Sequence, residues 1–351
     1  MIAENGLPSP WWSAARHADI RPFLTARSAI TRAIRAWFEE RQFTEVETSV
    51  LQVSPGNETH LHAPRTELCR ADGARVARYL RTSPEFACKK LLAAGEERIF
   101  ELARVFRDRE RSDLHLPEFT MLEWYRANVG YDAVIADTVV VIAHAAHATG
   151  IGRFSFRGRS ADPFAEPELL TVAGAFAQFA GIDLLATIDH GEGDRAALAA
   201  AAEGKVRVSD DDTWSDIFSK ILVEHVEPNL GQGRLTILFE YPAPEAALAR
   251  TKPSDPRVAE RFEVYACGVE LANGFGELTD AAEQRRRFAS AMDEKARRYG
   301  ERYPLDEEFL AAVAGMPQAS GVALGFDRLV MLASGASRVD QVVWTPPSDN
   351  A

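Results

Sequence analysis

Apolar residues recur at helical spacing near the start of the chain. Ile30, Ile34, Trp37 and Phe38 fall at i, i+4, i+7 and i+8 and make one stripe, which predicts a helix over 25–41 with Thr25 as its N-cap. A short β-like run, 43–48, follows, and the polar stretch 54–64 reads as loop. A helix over 83–94 is opened by Ser83 as N-cap and Pro84 at the first helical position. Two strand-like runs, 98–107 and 118–126, flank the charged segment 108–117, the pattern of a hairpin with a long polar loop. The most apolar stretch, 134–148, carries Asp137, His144 and His147. It is too short to span a bilayer and is expected to be a buried helix within 131–149, ending before Gly150.

The stretch 151–168 is rich in Arg, Gly, Pro and Asp and reads as a connector. Helical patterns at 172–180, 195–202 and 214–226 carry no nameable motif. Strand character returns at 235–241 and 261–270, a helix is predicted over 281–299, and 321–335 reads as an apolar strand running into an apolar helix. Strands joined by both hairpins and helices predict an α+β fold, an antiparallel sheet flanked by helices.

Composition narrows the function classes. The chain has 351 residues, 46% of them hydrophobic and 26% charged, which suits a globular protein and excludes a collagen or a disordered chain. Its formal net charge is −12, from 40 Lys+Arg against 52 Asp+Glu, so it lacks the positive field that sequence-independent nucleic-acid binding needs. The three cysteines, Cys69, Cys88 and Cys267, are widely spaced, which argues against a disulfide framework or structural zinc and fits a reducing cytoplasm. The opening run 1–10 shows no basic-then-apolar pattern of a secretory leader.

Four separated segments carry the candidate chemistry. The first, V-F-R-D-R-E, puts Arg107 at the end of the first hairpin strand, where a guanidinium can fork onto a phosphate or a carboxylate. In the second, L-P-E-F-T-M-L-E-W-Y, alternation places Phe119, Met121, Glu123 and Tyr125 on one strand face, a row suited to stacking a ring and holding an amine, or simply a half-polar solvent face. In the third, E-L-A-N-G-F-G-E-L, Glu270 and Glu277 would face opposite ways in a regular strand. A register break at Asn273-Gly274 would let both converge on a hard cation, and the alternative is a loop with two exposed acids. In the fourth, G-V-A-L-G-F-D-R-L, Gly325 sits where strand gives way to helix and Arg328 falls in the helix's first turn, against the dipole preference for acids there, which a phosphate-binding duty would explain.

Together these segments strongly resemble class II aminoacyl-tRNA synthetases of lysyl type over about 20–335. The region of Arg107 and the Gly325/Arg328 pair resemble that class's second and third signature motifs, and 25–48 resembles the first, the dimer motif. A lysyl-tRNA synthetase places an anticodon-binding OB-fold before its catalytic domain, and here the dimer-motif helix is expected too close to the start for one. The phrases P-E-F-T-M-L-E-W-Y-R and R-F-E-V-Y-A-C-G-V-E-L-A-N-G-F make the chain closely similar to the elongation factor P–(R)-β-lysine ligase family.

The resemblance implies one catalytic domain over 1–351, with a mostly helical insertion or connector at about 151–230. It implies ATP and Mg²⁺ as cofactors, β-lysine as substrate, elongation factor P as protein acceptor, a homodimer, a cytoplasmic setting, and neither a membrane nor a tRNA partner. Carried over residue by residue, it puts Arg107, Asp108, Arg109, Glu110, Leu116, Phe119, Glu270, Leu271, Gly325 and Arg328 around ATP. Arg107 would grip the α-phosphate, Phe119 would stack on adenine and Arg328 would hold the γ-phosphate. Ser83, Pro84, Glu85, Glu123, Tyr125, Glu277 and Ala323 fall to the amino-acid substrate, and Glu270 with Glu277 to the metal.

Three positions depart from the family pattern. Arg109 stands where a glutamate usually contacts adenine, with Glu110 next to it; Ser49 replaces the dimer motif's usual proline; and Gly276 precedes Glu277. Two other readings stay open on sequence alone, a minimal lysyl-tRNA ligase and a non-catalytic paralogue that senses an amino acid or adenylate.

Overall fold

In the computed structural model of the chain, residues 10–347 are described, so the run 1–10 lies outside the described residues except for Pro10. Eight strands form the central sheet: β1 (Thr44–Glu45), β2 (Arg98–Phe106), β3 (Glu118–Ala127), β4 (Glu168–Thr171), β5 (Thr236–Pro242), β6 (Val258–Ala266), β7 (Val269–Gly276) and β8 (Ala319–Gly325). Their order across the sheet is β1-β2-β3-β8-β7-β6-β5-β4. The six central strands are antiparallel, and only the edge strands β1 and β4 pair in parallel. The fold is α+β, a largely antiparallel sheet flanked by helices, as the sequence pattern predicts.

One face of the sheet is apolar. Phe100, Leu122, Trp124, Phe262, Val264, Val322 and Leu324 meet helices α1 (Ala14–Glu40), α3 (Tyr131–Thr149) and α6 (Phe326–Ser334) in a single core. Helix α1 starts at Ala14 rather than near Thr25 and carries Pro22 inside it. Its stripe of Ile30, Ile34, Trp37 and Phe38 is fully consumed within the chain. Phe38 stacks on Phe100 there, with ring centroids 4.4 Å apart. Helix α3 has 19 residues, long and apolar enough by length and composition to cross a membrane, contrary to the reading that it is too short. Val134, Val141, Ile142, Ala145 and Ala146 nevertheless lie in the protein core.

The run 261–270 is not one strand. It is the end of β6 and the start of β7, turned at Cys267 (φ 55) and Gly268 (φ 73). Two successive positive φ values are what a tight two-residue hairpin requires. The apolar residues on both sides of this turn hide it from a hydrophobicity pattern. A bulge follows. Val264 pairs with Ala272 and Tyr265 with Glu270, which leaves Leu271 as the extra residue.

Other differences have simple causes. The antiparallel pair Arg65–Cys69 and Arg75–Leu80 went unread because its arginines and exposed positions give no alternation. The connector 151–168 holds a hairpin, Phe154–Phe156 and Arg159–Asp162, before β4. The region beyond it builds its own core from Val172, Phe176, Leu198, Trp214 and Phe218, which meets the sheet at Leu238, Tyr241 and Tyr265.

One buried guanidinium ties distant segments. Arg27 of α1 donates to Asp327 of α6, to Thr120 Oγ1 of β3 at 2.8 Å and to the Val342 carbonyl at 3.1 Å, while Asp327 accepts from the Thr120 amide at 3.0 Å. A buried charge is tolerated when it is this fully paired.

Candidate active site

The opposite face of the sheet is polar and forms the floor of a cleft. A cross-strand row runs Glu101, Glu123, Ala323, Asn273, Glu263. Helices α2 (Glu85–Ala93), α4 (Ala281–Tyr299) and α5 (Glu307–Gly315) flank it.

At one end of the cleft lie acids in dry surroundings. Glu123 is buried on β3 and accepts from Ser83 Oγ and from its own-face neighbour Tyr125 Oη, each at 2.6 Å. Burial, reinforced by nearby Glu85, pushes its carboxyl up to about 8. Glu85 opens α2, its amide bonded to Ser83 Oγ at 3.0 Å, and it receives Lys89 Nζ at 2.5 Å. Glu277, just past β7, is wholly buried and lies 2.6 Å from the same Lys89. Burial raises its carboxyl to about 7 against the pull of that ammonium. Gly321 makes this packing feasible, since a Cβ there would sit 2.3 Å from the Tyr125 ring and 2.7 Å from Glu277 Oε1. Ala323 lies between Glu123 and Asn273 and presents its methyl to the cleft.

At the other end lie guanidinium groups. Arg107, at the exit of β2, has Nη1 3.9 Å from Glu110 and its guanidinium 5.3 Å from the Phe119 ring centre. Its Nε is buried with no hydrogen-bond partner among the described residues. An orphaned buried donor beside an aromatic face fits an incoming phosphate and base. Arg328 Nη1 donates to the Glu270 carbonyl at 2.8 Å, and Nη2 lies 2.6 Å from His115 Nε2. A guanidinium only donates, so His115 accepts on Nε2 and carries its proton on Nδ1, 2.8 Å from Ser112 Oγ. Burial and the Arg328 charge push this histidine down, which keeps it neutral.

The hairpin brings Glu263 and Glu270 onto this face. Glu263 accepts from Arg261 at 2.8 Å and Tyr265 Oη at 2.7 Å. Its carboxyl is raised by burial and by Glu270, and Glu227, arriving from the end of the helical region, is pushed to about 7 by burial, Glu263 and Glu270. Three carboxylates that repel one another suit a hard cation. Among the described residues no group of three or more His, Cys, Asp or Glu side chains is placed to hold a metal ion by itself.

The expected pairing of Glu270 with Glu277 is corrected here. The register break falls at Leu271, not at Asn273-Gly274. The two glutamates share a face but sit roughly 20 Å apart along an extended strand, too far for one ion. Glu277 belongs to the acidic end, with Lys89. Glu263 is the carboxylate that faces Glu270.

Of the residues singled out from the sequence, Ser83, Glu85, Arg107, Glu110, Leu116, Phe119, Glu123, Glu270, Leu271, Ala323, Gly325 and Arg328 line the cleft. Pro84, Tyr125 and Glu277 support it from behind. Asp108 and Arg109 turn away: the Asp108 amide bonds to the His62 carbonyl, and Arg109, in a left-handed conformation, lies over Tyr299 and 3.4 Å from His62. Glu110, not Arg109, therefore borders the cleft beside Arg107. Sequence reasoning missed Glu58, His115, Arg261, Asn273, Phe275 and Asp327 on the wall. A histidine two residues before P-E-F and an arginine two before Glu263 are visible once the hairpins are placed.

The family model for class II tRNA synthetases (D, K and N) matches residues 7–348. Relatives named elongation factor P–(R)-β-lysine ligase align over nearly all of their own length. The Pectobacterium atrosepticum protein is 38% identical over 328 residues, covering 91% of this chain and 93% of the relative. The Haemophilus influenzae protein is 38% identical over 329 residues, 93% and 95%. The Vibrio cholerae protein is 37% identical over 341 residues, 96% and 98%. The chain belongs to the elongation factor P–(R)-β-lysine ligase family. In this ligase the buried acids and the guanidinium groups line one cleft on one face of the sheet.

Proposed function

We propose that this ligase activates (R)-β-lysine with ATP as an adenylate and transfers the acyl group to a lysine side chain of elongation factor P. The observation that carries the reading is that one cleft joins a desolvated, acid-lined pocket to an end walled by Arg107 and Arg328, with one continuous β-strand row between them. An ammonium group seeks the first; phosphates seek the second.

The substrate carboxylate oxygen attacks the α-phosphorus in line, forming an acyl–phosphate bond as the bond to pyrophosphate breaks. Arg107 neutralises charge that builds on the α-phosphate, and its unpaired Nε needs no reorganisation to do so. Arg328 takes the terminal phosphate, oriented by the neutral His115. Phe119 offers its ring to adenine and Glu110 borders it. Glu270 and Glu263 would hold a Mg²⁺ ion, which would supply charge neutralisation to the phosphates. Glu85, Glu123 and Glu277 draw the substrate's amino groups to the far end, with Ser83 and Tyr125 orienting Glu123. The acceptor amine then attacks the acyl carbonyl and AMP leaves. A cytoplasmic setting and a homodimer belong to the same reading.

The test is to incubate the protein with ATP and β-lysine, adding either elongation factor P or tRNA, and to weigh both acceptors. A mass increase of one β-lysyl group on elongation factor P alone is expected. Charging of tRNA instead would give the minimal lysyl-tRNA ligase, and consumption of no ATP in either arm would leave a sensor.

A further inference from the structure

Lys89 has a place in this pocket that the mechanism above leaves unused. It is 1% exposed, so it touches neither solvent nor any ligand in the cleft. Its ammonium bridges Glu85 Oε1 at 2.5 Å and Glu277 Oε2 at 2.6 Å. A buried cation in a pocket that must attract a cation is at first sight self-defeating. The charges resolve this. Three carboxylates, Glu85, Glu123 and Glu277, crowd the acidic end against one lysine, and unscreened carboxylates this close would protonate or move apart. Lys89 takes one oxygen from each of two acids. Glu277 Oε1 then remains buried beside Gly321, with no hydrogen-bond partner among the described residues.

We infer that Lys89 is a positioning residue for substrate recognition: an internal counter-charge that clamps Glu85 and Glu277 in place and leaves the pocket with an excess of negative charge, matched to an ammonium-bearing substrate. The inference rests on the amino-acid-activating reading. The bland alternative is an i,i+4 staple within α2 that serves stability alone.

The experiment is ATP–pyrophosphate exchange with β-lysine, with KM determined separately for β-lysine and ATP, and thermal melting, on Lys89→Met, Lys89→Arg, Glu277→Gln and the double variant Lys89→Met/Glu277→Gln. Lys89→Met is expected to raise the β-lysine KM by about tenfold or more, the scale of one lost charge-assisted contact, with the ATP KM within about twofold of the parent. Lys89→Arg should recover most of that loss. The double variant should bind β-lysine no worse than Glu277→Gln alone, because the two act as a unit. Should Lys89→Met not fold, the double variant, which removes both charges of the buried pair, still carries the comparison. An unchanged β-lysine KM, equal rises in both KM values, or additive losses in the double variant would each overturn the inference. No exchange by the unaltered protein with β-lysine or α-lysine would instead remove the functional reading beneath it.

Discussion

The two ends of the cleft are built on opposite plans. At the amine end the charged groups are already engaged, and all but Glu85 are buried: Glu123 by Ser83 and Tyr125, Glu85 and Glu277 by Lys89. At the phosphate end the guanidinium groups are partly exposed, with Arg107 lacking a close partner and Arg328 held by backbone carbonyls, the His115 imidazole and a 3.3 Å ion pair to Glu270. On the proposed reading the difference follows from the ligands. A triphosphate brings strong charge and its own cation, so its site needs only donors in reach. An ammonium chain end brings one charge and is recognised against similar molecules, so its site must be rigid and dry before the ligand arrives.

The contrast can be broken from either side. The largest effect is expected from Arg107→Ala, which should cost about 2–4 kcal/mol of transition-state stabilisation in ATP–pyrophosphate exchange, as for loss of one preorganised donor. Full exchange by this variant would remove its role. At the amine end, Gly321→Ala drives a methyl into the Tyr125 ring and Glu277. A misplacement of about 1 Å typically costs on the order of a hundredfold, so kcat/KM for β-lysine should fall by that much while the ATP KM holds. A parallel loss for both substrates would mean that the two ends are not independent.

Subtler changes sharpen the comparison. Ala323 lies in the floor beside Glu123, where on the proposed reading its methyl would crowd an α-amine while leaving a β-amine free. Ala323→Gly should improve kcat/KM for α-lysine relative to β-lysine by roughly tenfold, within the 1–3 kcal/mol that one methyl contributes in a packed pocket. An unchanged ratio would reduce Ala323 to packing. At the nucleotide end, Glu110→Ala should raise the ATP KM a few-fold and Arg109→Ala barely at all, because Arg109 lies over Tyr299; the reverse would show that this loop rearranges on binding. The smallest effect concerns pH. The Glu123 carboxyl rises from 4.5 to about 8 on folding, so its protonated form favours the folded state. That contribution is complete below pH 4.5 and is lost as pH climbs through about 8. Thermal melts of Glu123→Gln should therefore gain on the parent by a few degrees between pH 5 and 9. A constant difference would show that Glu123 stays charged throughout.

What the sequence made legible was whatever lay within one contiguous segment. The face of Phe119, Met121, Glu123 and Tyr125 follows from strand alternation alone, and the boundaries of α3 and α4 follow from unbroken helical patterns ended by Gly150 and Gly300. Features created by a turn were not legible. Glu263 stayed hidden because Val264, Tyr265, Ala266, Cys267 and Val269 read as one apolar strand, so its approach to Glu270 could not be anticipated. Lys89 and His115 look like surface groups until α2 and the 108–117 loop close over the sheet. Arg109 was ambiguous because its left-handed backbone, unusual for arginine, reverses where its side chain points.

The Arg27–Asp327 pair has a consequence for synthesis. Its members are 300 positions apart in the chain. At a translation rate of about 5–20 residues per second, the guanidinium waits roughly 15–60 s for its acid. Until then Thr120 and the first turn of α6 lack their common anchor, and Arg328 has no fixed place. A nascent chain would thus be unable to assemble this end of the cleft before Asp327 has been made, so on the proposed reading no half-made enzyme would release a reactive acyl intermediate.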